Sequence, residues 1–328
     1  MNSLYLTIIF CFFNIISFSQ IWEDELLKTN PTPTIQEKSI AFEEYRDIHP
    51  YTKGNGFKPY AREMDFILKR SSEGEKFKAD ALFKEWEKIQ NKNSYSKANT
   101  QSNWISKGPI NTPIILSNLK KRGNGRVNCI AFDPINPDII WIGSPAGGLW
   151  KSVDGGNNWT TNTDNLPVIG VSSIAIDPTN TQNMLIVTGD AHATDTYSIG
   201  ILKSTDGGNS WNTTSLSYNI SQEKRINKVI INPVYPDSVF AATNDNIMIS
   251  TDAGANWQTV GLGGRWRDIE FKPGTPSTIY AAKQSSGGSN VYRTTDGGAN
   301  WSVINNGVAS SGKYRPLIAV TPDNPEVI

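Results

Sequence analysis

The residues best placed to do chemistry come as a set of four. Asp154, Asp206, Asp252 and Asp296 each follow a hydroxyl residue by two places (Ser152, Ser204, Ser250, Thr294). Each precedes a glycine by two places (Gly156, Gly208, Gly254, Gly298) and a tryptophan by five (Trp159, Trp211, Trp257, Trp301). A carboxylate at such a position could donate or accept a proton, or hold a metal. It could equally accept the backbone N–H groups of its own turn. The flanking types favour the second chemistry. The glycine admits a positive φ that a side chain resists, and the tryptophan can lay a large ring under the turn. The place before that glycine holds Gly155, Gly207 and Gly297 but Ala253, so it reads as permissive. The hydroxyl residue recurs in steps of 52, 46 and 44 residues. Turns so spaced belong to successive structural repeats and are not expected to converge on one substrate.

Other candidate groups are sparse. The loop "TGDAHATDTYSIG" (188–200) carries Asp190, His192, Asp195 and Tyr197, and long loops on a rigid scaffold are where ligands are met. A calcium ion could be held there by Asp190 and Asp195 with backbone carbonyls; the favoured reading is a solvated loop whose Asp residues cap their own turns. Arg126, Trp141 and Trp150 are candidates to meet a ligand, although the two tryptophans fit better between packed sheets. Cys129, in "RVNCIAF", reads as a buried strand residue with no nearby histidine to activate it. His49 and His192, the two histidines, have no nucleophile elbow beside them. "KGNGF" (53–57) and "RGNGR" (122–126) do not combine strand, glycine turn and helix, so no nucleotide loop is expected.

The elements that must position these residues follow from the chain's periodicity. From Trp104 onward, apolar strands end in x-Pro turns: "RVNCIAFDP", "VSSIAIDP", "RINKVIINP", "RWRDIEFKP" and "YRPLIAVTP". After each comes a second apolar strand. Four times a third strand then leads into the acidic turn, and a short fourth strand leaves it at the tryptophan. A repeat of four antiparallel strands and about 40–50 residues is a β-propeller blade. The expected fold is therefore an all-β propeller over 104–328, incomplete at about four and a half blades because the fifth begins at 314–322 and stops at "EVI". Residues 20–103 differ, being rich in Glu, Lys and Ala. Leu82, Trp86 and Ile89 share one helical face, and Thr34 with Glu37 form a capping box. An α-helical N-terminal arm is expected there, broken at "HPYTKGNGFKP" and ending in a linker at 92–103. Residues 1–19 read as a signal peptide, with an apolar run from Leu4 to Phe13 and a small-x-small site at Ser17–Ser19. That reading places the protein outside the cell or on its surface, with no stable membrane span after cleavage.

Lys plus Arg and Asp plus Glu number 31 each, which removes the basic face expected of a nucleic-acid binder. Cys11 leaves with the signal peptide, so Cys129 has no disulfide partner and stability must come from buried area.

The motif S-x-D-x-G-x-x-W resembles the Asp-box, or BNR repeat. Sialidases, two-propeller xyloglucan-degrading glycoside hydrolases and sortilin (Vps10) ectodomains carry it. The run from Arg126 to Trp159, followed by "VSSIAIDPTNTQNMLIVTGD", is similar to the last two, and especially to large secreted propeller proteins of Bacteroidetes. The resemblance implies cargo of the type 9 secretion route. It also implies that a xyloglucanase would carry one catalytic Asp in a T-D-x-G-G-A-Y pattern. The matching stretch here is Ser144–Trp150, and Pro145 stands at the Asp position. Proline transfers no proton, and glycoside hydrolysis needs a carboxylate pair. The sialidase F/Y-R-I-P signature has no match nearer than "YRP" at 314–316. The expected role is thus a binding or scaffold module for a peptide, protein or glycan, not an enzyme, with a glycoside hydrolase as the alternative. No cofactor is expected.

Overall fold

The computed structural model describes residues 21–30, 33–51, 57–69, 71, 80–93, 125–192, 196–260, 262–285, 288–305 and 316–328. The signal-peptide reading, most of the linker, Asp195 and "YR" of "YRP" lie outside these residues. The chain divides into two compact units, Met1–Lys78 and Ala79–Ile328.

The first unit holds three helices, α1 (Ile21–Thr29), α2 (Ile35–Ile48) and α3 (Phe57–Leu68). The capping box starts α2: the Glu37 N–H donates to Thr34 Oγ1 at 3.2 Å and the Thr34 N–H to Glu37 Oε2 at 2.7 Å. Phe57 begins α3 within the stretch read as a break. Pro59 fits because the first turn of a helix has no use for its missing N–H. Trp22, Phe42 and Tyr45 form a buried aromatic core, with Tyr60 stacked on Phe42 at 3.6 Å. Lys38 of α2 ties all three helices, bonding Glu23 at 3.1 Å and Glu63 at 2.8 Å.

The second unit begins with α4 (Ala81–Asn93), which runs into the region read as linker. Its expected apolar face is not a buried one: Leu82 and Ile89 are 58% and 55% exposed. Local ion pairs, Lys84 with Asp80 and Lys88 with Glu85, support this helix from its own surface.

Four antiparallel sheets follow, each in simple meander order. They are β1 (Cys129–Phe132), β2 (Ile140–Ser144), β3 (Gly148–Ser152) and β4 (Thr160–Thr161); β5 (Val171–Ile176), β6 (Met184–Thr188), β7 (Gly200–Ser204) and β8 (Asn212–Ser217); β9 (Ile226–Ile231), β10 (Val239–Thr243), β11 (Ile247–Ser250) and β12 (Gln258–Thr259); and β13 (Arg265–Phe271), β14 (Ile279–Ser285), β15 (Gly288–Thr294) and β16 (Ser302–Val303). These are four propeller blades. Strand alternation sends one apolar row to each side, so a blade can be packed on both faces. That is why β6 and β10 are buried at every residue. Three cores result: Trp141 and Leu149 with Met184, Ile186 and Leu202; Leu185, Val187 and Ile201 with Val229, Val239 and Ala241; Phe240 and Ala242 with Trp266, Ile269 and Ile279.

The fifth-blade strands expected at 314–322 and 326–328 are not formed among the described residues. Residues 316–320 cross the far side of the fourth blade, where Ile318 is buried against Tyr280 and Ala282. The Ile318 N–H donates to Asp268 Oδ2 at 2.8 Å, so a side-chain carboxylate takes the place of a ladder partner.

Candidate functional site

In all four acidic turns the hydroxyl residue is buried and makes the same two bonds. It donates to the carboxylate Oδ1 at 2.8, 2.7, 2.8 and 2.6 Å. It accepts from the glycine N–H two residues past the Asp at 2.8, 2.8, 2.9 and 3.0 Å. The same carboxylate oxygen accepts the N–H of Asn158, Ser210, Asn256 or Asn300 at 2.7–2.9 Å. The second oxygen takes the side chain of that residue at 2.6–2.8 Å. Each carboxyl is thereby lowered to about 2. The backbone N–H of Asn158 or Asn256 is the leading cause in the first and third turns, the Ser210 hydroxyl in the second, and the Thr294 hydroxyl in the fourth. Such a group is fully ionised at neutral pH, far from the poise of a general acid. No hydrogen bond among the described residues joins one turn's carboxylate to another's.

The glycine four places after each hydroxyl residue has φ of 91°, 79°, 83° and 96°. The slot before it also lies in the left-handed region: Gly155 at 68°, Gly207 at 67°, Gly297 at 69° and Ala253 at 56°. That slot is therefore not conformationally permissive, and Ala253 sits there under backbone strain. The room for a methyl varies: nothing lies within 4 Å of a Cβ placed on Gly297, whereas one on Gly207 would meet the Gln182 side chain at 3.0 Å.

Three tryptophans close their turns, donating the indole N–H to Gly156, Gly254 and Gly298 at 2.9, 2.9 and 3.0 Å. Trp211 differs. The Gly208 carbonyl accepts Asn162 Nδ2 of the preceding blade at 2.6 Å, and the Trp211 indole N–H has no partner among the described residues. A second clamp joins the next pair of blades, where the Trp257 backbone N–H donates to Ser215 Oγ at 2.9 Å. The turns thus fasten neighbouring blades as well as neighbouring strands.

The loop after β6 is anchored and its candidate residues are divided. Asp190 is buried, pairs with the Arg126 guanidinium, and accepts from Asn128 Nδ2 at 3.2 Å and the His192 N–H at 2.9 Å. Its oxygens are held by donors. Tyr197 faces the other way, with its hydroxyl 3.4 Å from Glu223 and the Arg225 guanidinium 4.8 Å above its ring. Trp141 lies between the first two blades, while Trp150 is half-buried on the first blade's opposite face and donates to the Gly147 carbonyl at 2.6 Å. Burial pushes the Cys129 thiol up to about 12, which removes it as a nucleophile at neutral pH.

What the strand pattern concealed is a groove of about 710 Å³ along the innermost strands β1, β5, β9 and β13, edged by Pro316–Ile318. One end carries Asn128, His192, Asn227 and Arg267; the other is apolar, with Ile176, Ile231 and Phe271. Between them Lys228 of the third blade bonds Asp268 at 2.8 Å and also pairs with Glu270, both of the fourth blade. Burial alone would lower the Lys228 pKa, but the two carboxylates hold it above its ordinary value. Burial, aided by Asp268, raises the Glu270 carboxyl against the pull of Lys228. The Arg267 guanidinium reaches Gln284 Oε1 at 2.6 Å, Asn227 Oδ1 at 3.3 Å and the Ala191 carbonyl at 3.4 Å. The signal for this cluster was present as charged residues inside the otherwise apolar inner strands "RINKVIINP" and "RWRDIEFKP".

Residues 200–316 match the family model described as Sortilin, neurotensin receptor 3. A xyloglucanase of Paenibacillus sp. is 25% identical over 150 residues, which is 42% of this chain and 15% of that protein. Among solved structures, an ancestral GH74 enzyme superposes with a TM-score of 0.51 at 22% identity, over 61% of this chain and 28% of the other. The GH74 enzyme of Niastella koreensis gives a TM-score of 0.48 at 21% identity, over 61% and 32%. The chain therefore spans under a third of the length of these relatives. It is similar to propellers of the sortilin and xyloglucanase kind, and it shares their fold.

Proposed function

We propose that this propeller is an exported binding module whose ligand is a peptide or protein segment seated in the axial groove. The observation that carries this reading is the groove itself. It draws on the inner strand of every blade, so one ligand can touch all four. Apart from Glu270, which pairs with Lys228 through one oxygen, the carboxylates of the turns and the groove are engaged, and glycoside hydrolysis needs a pair. Those of the turns are bonded within their turns, and Asp268 is closed off by Lys228, the Ile269 N–H and the Ile318 N–H. By the resemblance, Pro145 also replaces a catalytic Asp. The leader at 1–19 would deliver the protein outside the cell or to its surface, where a scaffold role is compatible with peptide binding. The xyloglucanase relative favours a second reading, a glycoside hydrolase. Incubation of the chain with xyloglucan and with a sialylated conjugate separates the two. The binding reading expects no released reducing sugar or sialic acid, together with saturable binding of peptides by fluorescence anisotropy. Sustained sugar release by the purified chain would refute it.

A further inference from the structure

The inner-strand cluster joins three charges but balances only two. Lys228 carries one positive charge between Asp268 and Glu270, leaving the triad one negative charge in excess. Asp268 is closed, with its side chain only 5% exposed and both oxygens bonded. Glu270 is open to the groove at 29% side-chain exposure, and only its Oε1 is engaged, by Lys228. Its Oε2 has no hydrogen-bond partner among the described residues. A carboxylate oxygen in a half-buried, largely apolar groove keeps its charge at a desolvation cost unless a donor, best a cationic one, meets it. The raised Glu270 pKa is consistent with that shortfall. The Arg267 guanidinium is directed instead to Gln284, Asn227 and the Ala191 carbonyl. Beyond Glu270, the apolar residues Ile176, Ile231 and Phe271 offer contact to apolar side chains but nothing to a second charge.

We propose that the axial groove selects an extended peptide bearing a lysine or arginine flanked by apolar residues, with the basic group received by the free oxygen of Glu270 and the flanks lying on the isoleucine-rich end. This rests on the reading that the groove binds peptides. Glu270 is the specificity residue, and Lys228 is a built-in competitor that holds the carboxylate until the ligand's cation shares it.

The test uses the full chain and three fluorescein-labelled nonapeptides of alternating Val and Leu, identical except for a central Lys, Gln or Glu. Anisotropy titration should place the Lys peptide at least tenfold tighter than the Gln peptide, with the Glu peptide weakest. Glu270→Gln, which keeps the shape and can be checked for folding by its thermal transition, should erase the Lys preference, bringing the Lys and Gln peptides within about twofold of each other. Lys228→Met should act in the opposite direction and tighten the Lys peptide several-fold, an effect that a purely structural lysine would not produce. Equal binding of all three peptides overturns the charge selection and leaves the peptide reading standing. Binding of none overturns the peptide reading and this inference with it.

Discussion

Gly208 tests the claim that the acidic turns bind blade to blade. A Cβ placed on it would lie 2.5 Å from Cη2 of Trp141 and 3.2 Å from Cζ2 and Cζ3 of the same ring. Trp141 is buried between the first two blades and has little room to withdraw. At a φ of 79°, an alanine also enters left-handed backbone, which costs about 1–2 kcal/mol. Overpacking adds about 1–3 kcal/mol. Reduced unfolded-state freedom returns about 0.5 kcal/mol. Gly208→Ala should therefore destabilise by about 3 kcal/mol. Gly297→Ala is the control, since its φ of 69° imposes a similar backbone cost with open space around the methyl, and Ala253 already occupies that slot in another turn. It should cost about 1 kcal/mol or less. For a domain of this size the shifts in Tm correspond to about 10 °C and about 3 °C. Thermal and urea unfolding followed by tryptophan fluorescence would measure both. A cycle with Trp141→Leu should return a coupling of at least about 1 kcal/mol, because a smaller side chain relieves the clash. Equal costs for the two glycines, or no coupling to Trp141, would refute the idea that these turns seat against the preceding blade.

Two further outcomes follow from named groups. The four turn carboxylates are lowered from 3.8 to about 2 in the folded chain, so their contribution is complete above about pH 4 and disappears as pH falls towards 2. Melting temperatures collected from pH 6 to pH 2 should fall across that window, and Asp252→Asn should shrink the fall; a flat profile would contradict the bonding described. Asp190→Ala removes the buried acceptor of the His192 N–H and Asn128 Nδ2 and should cost about 1–3 kcal/mol. It should also open the loop to chymotrypsin after Tyr197, whereas unchanged resistance would show that the Arg126–Asp190 anchor is dispensable.

Much of this molecule is a local matter, and that part the amino-acid order determined unaided. Strand alternation ending in x-Pro, a hydroxyl residue two places before an Asp, and glycines at positive φ are short-range constraints, so the blades and their turns could be read from spacing alone. The capping box at Thr34 and Glu37 is local in the same sense. Other features depend on residues far apart in the chain. Asp190 was expected to cap its own turn, and it does accept the His192 N–H, but its pairing with Arg126, sixty-four residues earlier, was not legible. Ala253 looked like proof of a permissive slot, because a sequence records that a methyl fits but not the φ at which it sits. The expected strand at 314–322 is not formed over its described residues, where the Ile318 N–H meets the Asp268 carboxylate. Above all, Lys228 sits in one strand, β9, and Asp268 and Glu270 in another, β13. Only the stacking of blades brings them to one groove, where low dielectric turns an unremarkable Lys–Asp–Glu set into an unbalanced charge with a free oxygen.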